Sequence, residues 1–252
     1  MGKLGRVLFA IPLVVFGLQY LVHGHLAGGL PPLPPWTPGG VVSAYLAGCI
    51  LLIAGILLLA NQALRITAIA IGFVFLASVM ILHVQHLHDV IYSGIDRTRA
   101  LEPLALAGAA FALGALASSE KSSVKTLISA TPGIAVFGRY IFVFSIILLG
   151  VQHFMYAQFV ATLVPAWMPG HLFLTYLTGI GMIATGLAIA TGVLSRLASV
   201  LLGIMFLIIF VTLHVPRVLA HVHNADELTS AFVALGFAGA SFIFAAYLSS
   251  SH

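Results

Sequence analysis

The sequence predicts an all-α integral membrane protein, with about eight transmembrane helices arranged as two fused, parallel four-helix repeats. Three observations predict this. Hydrophobic residues make up 61% of the chain and charged residues 6%, with a mean hydropathy of +1.16, whereas a soluble domain carries about 25% charged residues. The apolar residues form runs near the roughly 20 needed to cross a bilayer, without the alternation of a closed β-barrel. The landmarks of the first half also recur, in the same order, in the second.

The elements follow in order. The first apolar segment, about 4–25, opens Met-Gly-Lys-Leu-Gly-Arg and imitates a signal peptide. No small-residue cleavage site follows it, so a retained helix is expected. Arg6 stands where a myristoylation motif wants Ser or Thr. Segments at about 41–60, 64–88 and 101–118 complete a first repeat, 1–118. Residues 119–137, entered through Ser-Ser-Glu-Lys-Ser-Ser-Val-Lys at 118–125, read as a cytoplasmic linker. The second repeat, 138–252, carries segments at about 138–162, 171–192, 194–215 and 227–248.

The repeat is explicit in the residues. Gly5-Arg6 matches Gly138-Arg139, and Gly17-Leu18-Gln19 matches Gly150-Val151-Gln152, at an offset of 133. At an offset of 131, Trp36 answers Trp167, Tyr45 answers Tyr176, Gly48 answers Gly179, Arg65 answers Arg196, His83 answers His214 and Gly108 answers Gly239. An even number of spans per repeat inserts both copies in one orientation, giving a pseudo-twofold along the membrane normal. Inverted repeats are the commoner signature of carriers, which counts against a transporter.

Charge orients the chain. Lys3, Arg6, Arg65, Lys121, Lys125, Arg139 and Arg196 fall on one side, and Arg97, Arg99 and Arg217 on the other. The positive-inside rule then puts both termini in the cytoplasm. The formal charge of +4 forms no basic stripe, so nucleic acid is not an expected partner; the lipid bilayer is. A single cysteine, Cys49, excludes an intramolecular disulfide and any CxxC motif. No GxxxxGK, GxSxG or HExxH pattern occurs.

Every histidine except His252 falls in the outer half of this topology, and so do all the carboxylates except Glu120. The densest stretch is His83-Val-Gln-His86-Leu-His88-Asp89. His83 and His86 are spaced to share a helix face. His83 and His214 each lie about 27 Å above the arginine that opens their span. His153 lies about 21 Å above Arg139, inside the apolar layer, where ionisable residues usually face the bundle interior. Imidazoles grouped in this way suit a transition metal such as iron, copper or zinc. His83, His86, His153 and His214 are the first-choice ligands, with His23, His221, His223 and Glu227 in reserve. The blander reading is a set of interfacial histidines that anchor helix ends. Gln19, Gln152 and Tyr156 would orient ligands or contact a quinone-like substrate. Asp226 and Glu227 open the last helix, where the helix dipole favours carboxylates.

These residues resemble the DoxX-like family of bacterial membrane proteins. The resemblance is carried by Gly-Val-Gln-His-Phe (150–154), by Pro-Ala-Trp-Met-Pro-Gly (165–170), and by His214-Val-Pro-Arg217 followed by Glu227-Leu-Thr-Ser. It covers most of 138–248 and, more weakly, 5–118. It implies a redox-associated protein, since the family includes the membrane subunit of a thiosulfate:quinone oxidoreductase, and it adds quinone as a substrate class. This chain lacks the cysteine pairs of thiol-redox relatives. The expected function is therefore a membrane oxidoreductase or redox partner, with a histidine-rich metal or quinone site at the periplasmic end. Haem b held by transmembrane histidines is a variant of that reading. The alternatives are a non-catalytic accessory or scaffold subunit of a larger membrane complex, and a small-solute permease. The inner half offers few polar residues for a permeation path.

Overall fold

The computed structural model describes residues 1–24, 40–117 and 131–250, and every regular element among them is helical. Within the described residues, eight helical spans are long and apolar enough to cross a membrane. The α-helices are α1 (Gly2–His23), α2 (Val41–Leu59), α3 (Leu64–Leu82), α4 (Leu87–Tyr92), α5 (Gly94–Leu116), α6 (Thr131–Met155), α7 (Ala157–Leu163), α8 (His171–Thr191), α9 (Ser195–Ile209), α10 (Val215–Ala220) and α11 (Ala225–Ser250), and all but α7 belong to the spans. A 3₁₀ turn, Val84–His86, joins α3 to α4, and a π-helical turn, Phe210–His214, joins α9 to α10. The chain is a multi-pass, all-α membrane protein.

Several boundaries differ from the sequence reading. Thr131–Phe137 was expected in the linker and is the start of α6. Pro132 fits there because a first-turn residue needs no amide hydrogen. The fourth span starts at Gly94 rather than near 101, because the Ser93 side chain caps it by accepting from the Asp96 N–H at 3.3 Å. Its polar run Asp96-Arg97-Thr98-Arg99 reads as loop by hydropathy alone. The third span does not stay α-helical to 88; α3 stops at Leu82. The fifth stops at Met155, ahead of Tyr156 and the short α7.

The packing has one pattern, used twice. Helix α1 packs on α2 and α11, as α6 packs on α8 and α5; α3 packs on α5, as α9 packs on α11. The two inner helices, α5 and α11, meet at the centre, and their apolar stretches are 72% and 83% buried. Exchanging α1 with α6, α2 with α8, α3 with α9 and α5 with α11 leaves this set of contacts unchanged. Each repeat thus lays its first helix against the last helix of the other.

Small residues make these crossings possible, because helices in lipid attract one another by close packing rather than by burial from water. A Cβ on Gly239 would lie 2.4 Å from the Phe9 backbone nitrogen, and one on Gly108 would lie 2.4 Å from the Gly138 carbonyl oxygen. The first contact joins α11 to α1 and the second joins α5 to α6. The aromatic core repeats as well. The ring of Phe111 covers Gly72 on α3, and the ring of Phe242 covers Gly203 on α9. Phe142 and Phe244 stack at 4.4 Å and are fully buried. The short turns after α2 and α8 also correspond, with Asn61 and Ala63 in one and Gly192 and Leu194 in the other at positive φ.

A candidate binding site at the histidine end

The histidines of the described chain lie toward one end of the bundle, where α1, α3, α6 and α9 finish and α5, α8 and α11 begin. Two cross-ties fix this end. Gln19 on α1 donates through Nε2 to the Ala225 carbonyl at 3.2 Å and to Thr229 Oγ1 at 3.1 Å. In the other repeat, Thr98 on α5 donates through Oγ1 to Gln152 Oε1 at 3.3 Å, while Gln152 Nε2 is buried without a partner. Both glutamines therefore tie the first helix of one repeat to the last helix of the other, which accounts for their recurrence. Tyr156, the third residue expected to contact substrate, lays its ring over Gly94 at the start of α5. A Cβ there would come within 2.6 Å of Tyr156 Cε2.

In the second repeat, the polar residues of this end close on one another. Arg217 on α10 donates from Nε to Glu227 Oε2 at 2.9 Å and from Nη2 to Glu227 Oε1 at 2.6 Å. This two-pronged geometry is the strongest an arginine makes with a carboxylate. Asn224 caps α11 by accepting from the N–H groups of Asp226 and Glu227, at 2.9 and 3.4 Å. His214 closes the π-helical turn, and its Nδ1 is buried without a partner. Such turns interrupt α-helices mostly at functional positions.

In the first repeat, the corresponding place is open. A cavity of about 140 Å³ is lined by Leu82, His83, His86, Asp89, Val90, Asp96 and Arg99. His83 caps α3, and its Nε2 is buried without a hydrogen-bond partner. The 3₁₀ turn is closed by the His86 N–H to the His83 carbonyl at 3.1 Å. Residues three apart eclipse in a 3₁₀ turn, so His83 and His86 reach one cavity although the α-helix has ended. Asp96 Oδ1 is 3.7 Å from Arg99 Nη1, and Asp89 Oδ2 is 3.7 Å from His86 Nδ1. Arg97 turns away to cap α4 through the Val90 and Ile91 carbonyls.

The repeat offset explains the difference. Position 83 corresponds to 214, 86 to 217 and 96 to 227. An arginine in the second repeat is a histidine in the first, and a glutamate is an aspartate. Both replacements are shorter, and a cavity lies beside His86 and Asp96 where the second repeat has its Arg217–Glu227 pair.

The remaining candidate ligands are dispersed. His153 packs on α8 beside Gly179, with Nδ1 donating to the Leu149 carbonyl of its own helix at 2.8 Å. That bond leaves Nε2 as an acceptor. His23 is exposed at the end of α1, and His221 and His223 are exposed between α10 and α11. Both oxygens of Glu227 are engaged by Arg217. Among the described residues, no three His, Cys, Asp or Glu side chains gather as they would around a metal ion. His88, exposed, packs on Tyr92 at 4.7 Å. His25 and the Pro-rich stretch around Trp36 lie outside the described residues.

The structure adds Asp96 and Arg99 to the site, together with Thr98 and Thr229 as cross-tie partners. The repeat arithmetic could have found three of them, since Asp96 falls opposite Glu227 and Thr98 opposite Thr229. Arg99 has no such signal, because its counterpart is Ser230.

No protein-family model matches this chain, and no curated protein or solved structure matches it.

Proposed function

We propose that the chain is a redox-associated protein of the bacterial inner membrane that binds a quinone-type ring at the periplasmic end of its first repeat. The observation that carries this reading is the cavity between His83, His86, Asp96 and Arg99. Its volume of about 140 Å³ is close to the ~150 Å³ of an engineered cavity that holds benzene. A six-membered ring therefore fits. Leu82 and Val90 supply apolar wall, and the imidazoles, carboxylates and guanidinium supply hydrogen-bonding groups at the ring's edge. The site sits where an apolar span ends, so a hydrophobic tail can lie in the lipid while the headgroup enters the polar pocket. The similarity of 150–154, 165–170 and 214–217 to DoxX-like proteins supports redox chemistry.

The residues fit a ring better than a metal, since the candidate ligands are spread over α1, α3, α6, the π-helical turn and the turn before α11. No chemical step is therefore assigned to iron, copper or zinc. The ring itself would carry electrons, and the protein would bind, orient and shield it.

The test is a titration of the detergent-purified protein with a short-tailed benzoquinone, reduced and oxidised, followed by calorimetry. One equivalent should bind, and His83→Leu should weaken it about tenfold, the cost of losing one hydrogen bond in a half-enclosed site. Absence of binding in both redox states would remove the reading. It would turn attention to an accessory subunit of a membrane complex.

A further inference from the structure

Resting on that reading, we infer that the cavity holds its ligand as a hydrogen-bond donor, so that the quinol, not the quinone, is the form it binds tightly. The argument comes from the second repeat, which carries the same site with its contents built in. There the carboxylate at the Asp96-equivalent position, Glu227, receives two N–H donors from Arg217. In the first repeat, the donor has been replaced by His86 and the carboxylate retained as Asp96.

Among the described residues, the retained carboxylate gains only a looser cation in place of that donor. Arg99 lies one turn along the same helix, and its Nη1 stays 3.7 Å from Asp96 Oδ1, beyond hydrogen-bonding range. Asp89 adds a second carboxylate to the wall, 3.7 Å from His86 and 3.5 Å from His88. An ionised carboxylate can only accept. The cavity therefore presents two carboxylates held by loose pairs at 3.5–3.7 Å, with room for a donor to come closer. A hydroquinone ring offers two O–H donors at its edge and meets them. A quinone offers only carbonyl oxygens, which would compete with the carboxylates for Arg99 and the imidazoles and set acceptor against acceptor in a half-enclosed site.

The two redox forms of one short-tailed benzoquinone, titrated separately without oxygen, test this. The quinol should bind at least tenfold more tightly than the quinone. Equivalently, the two-electron midpoint potential of the bound pair should rise by about 30 mV per tenfold preference. Asp96→Asn, whose amide both donates and accepts, should erase the preference while keeping a site. The double variant His86→Arg/Asp96→Glu rebuilds the second repeat's ion pair and should exclude both forms from a protein that stays folded. Equal affinities, or a tighter quinone, would overturn the inference and leave the ring-binding reading standing. No binding of either form would overturn both.

Discussion

At the histidine end of the second repeat, a guanidinium bridges α10 and α11. At the same place in the first repeat, two shorter side chains leave a cavity of about 140 Å³. The surrounding frame is otherwise alike. The first-helix glutamines at 19 and 152 meet threonines at 229 and 98, and Ser93 and Asn224 cap the last helices at equivalent positions. The difference lies in the side chains at 86, 96 and 99 and in the turn that carries them, 3₁₀ at Val84–His86 in the first repeat and π-helical at Phe210–His214 in the second.

The largest expected effect tests whether the second end is structural. Arg217→Ala leaves Glu227, whose side chain is 14% exposed, without its partner. It should lower unfolding stability by about 2 kcal/mol, less than the ~3–5 of a fully buried pair because Arg217 itself is 37% exposed. Asp96→Ala, at the open end, should cost under about 0.5 kcal/mol, since a loose, half-exposed ion pair contributes little. Equal losses in thermal or denaturant unfolding in detergent would break the comparison.

A smaller effect separates the two glutamines. Gln19→Leu removes bonds to Ala225 and Thr229 and should cost about 1 kcal/mol. Gln152→Leu gives up one bond at 3.3 Å but also removes a buried, unpaired Nε2. Its stability should stay within about 0.5 kcal/mol of the parent. A loss at 152 as large as that at 19 would mean that the two cross-ties are equal. The smallest effect is His88→Ala, exposed and outside the cavity, which should move stability by no more than about 0.5 kcal/mol.

The frame was legible because membrane spans announce themselves by composition and because repeated glycines mark where backbones touch. Gly108 and Gly239 were paired by sequence, and the structure puts each against the opposite repeat's first helix. The site was legible only in part. His83 and His86 were placed together on a helical argument, and they do line one cavity, through a 3₁₀ turn that spacing does not reveal. His153 and His214 were grouped with them by depth, yet depth says nothing of which helix a side chain faces. Asp96 and Arg99 were read as boundary charges because hydropathy ends a span at its first polar run. Their helix continues to Ser93, and only the cap shows it.

The pairing of α1 with α11 also sets a timetable. Gln19 and Ala225 are 206 residues apart, and chains are made at roughly 5–20 residues per second. Helix α1 therefore enters the membrane about 10–40 s before α11, one of its two large partners, exists. Throughout that interval, the face around Gly5 and Gln19 has only lipid or the insertion machinery to lie against. Helix α6 does not wait, because α5 immediately precedes it. The protein's most exposed moment during biogenesis thus belongs to its first helix, and a chaperone or insertase that shelters one helix face would act there.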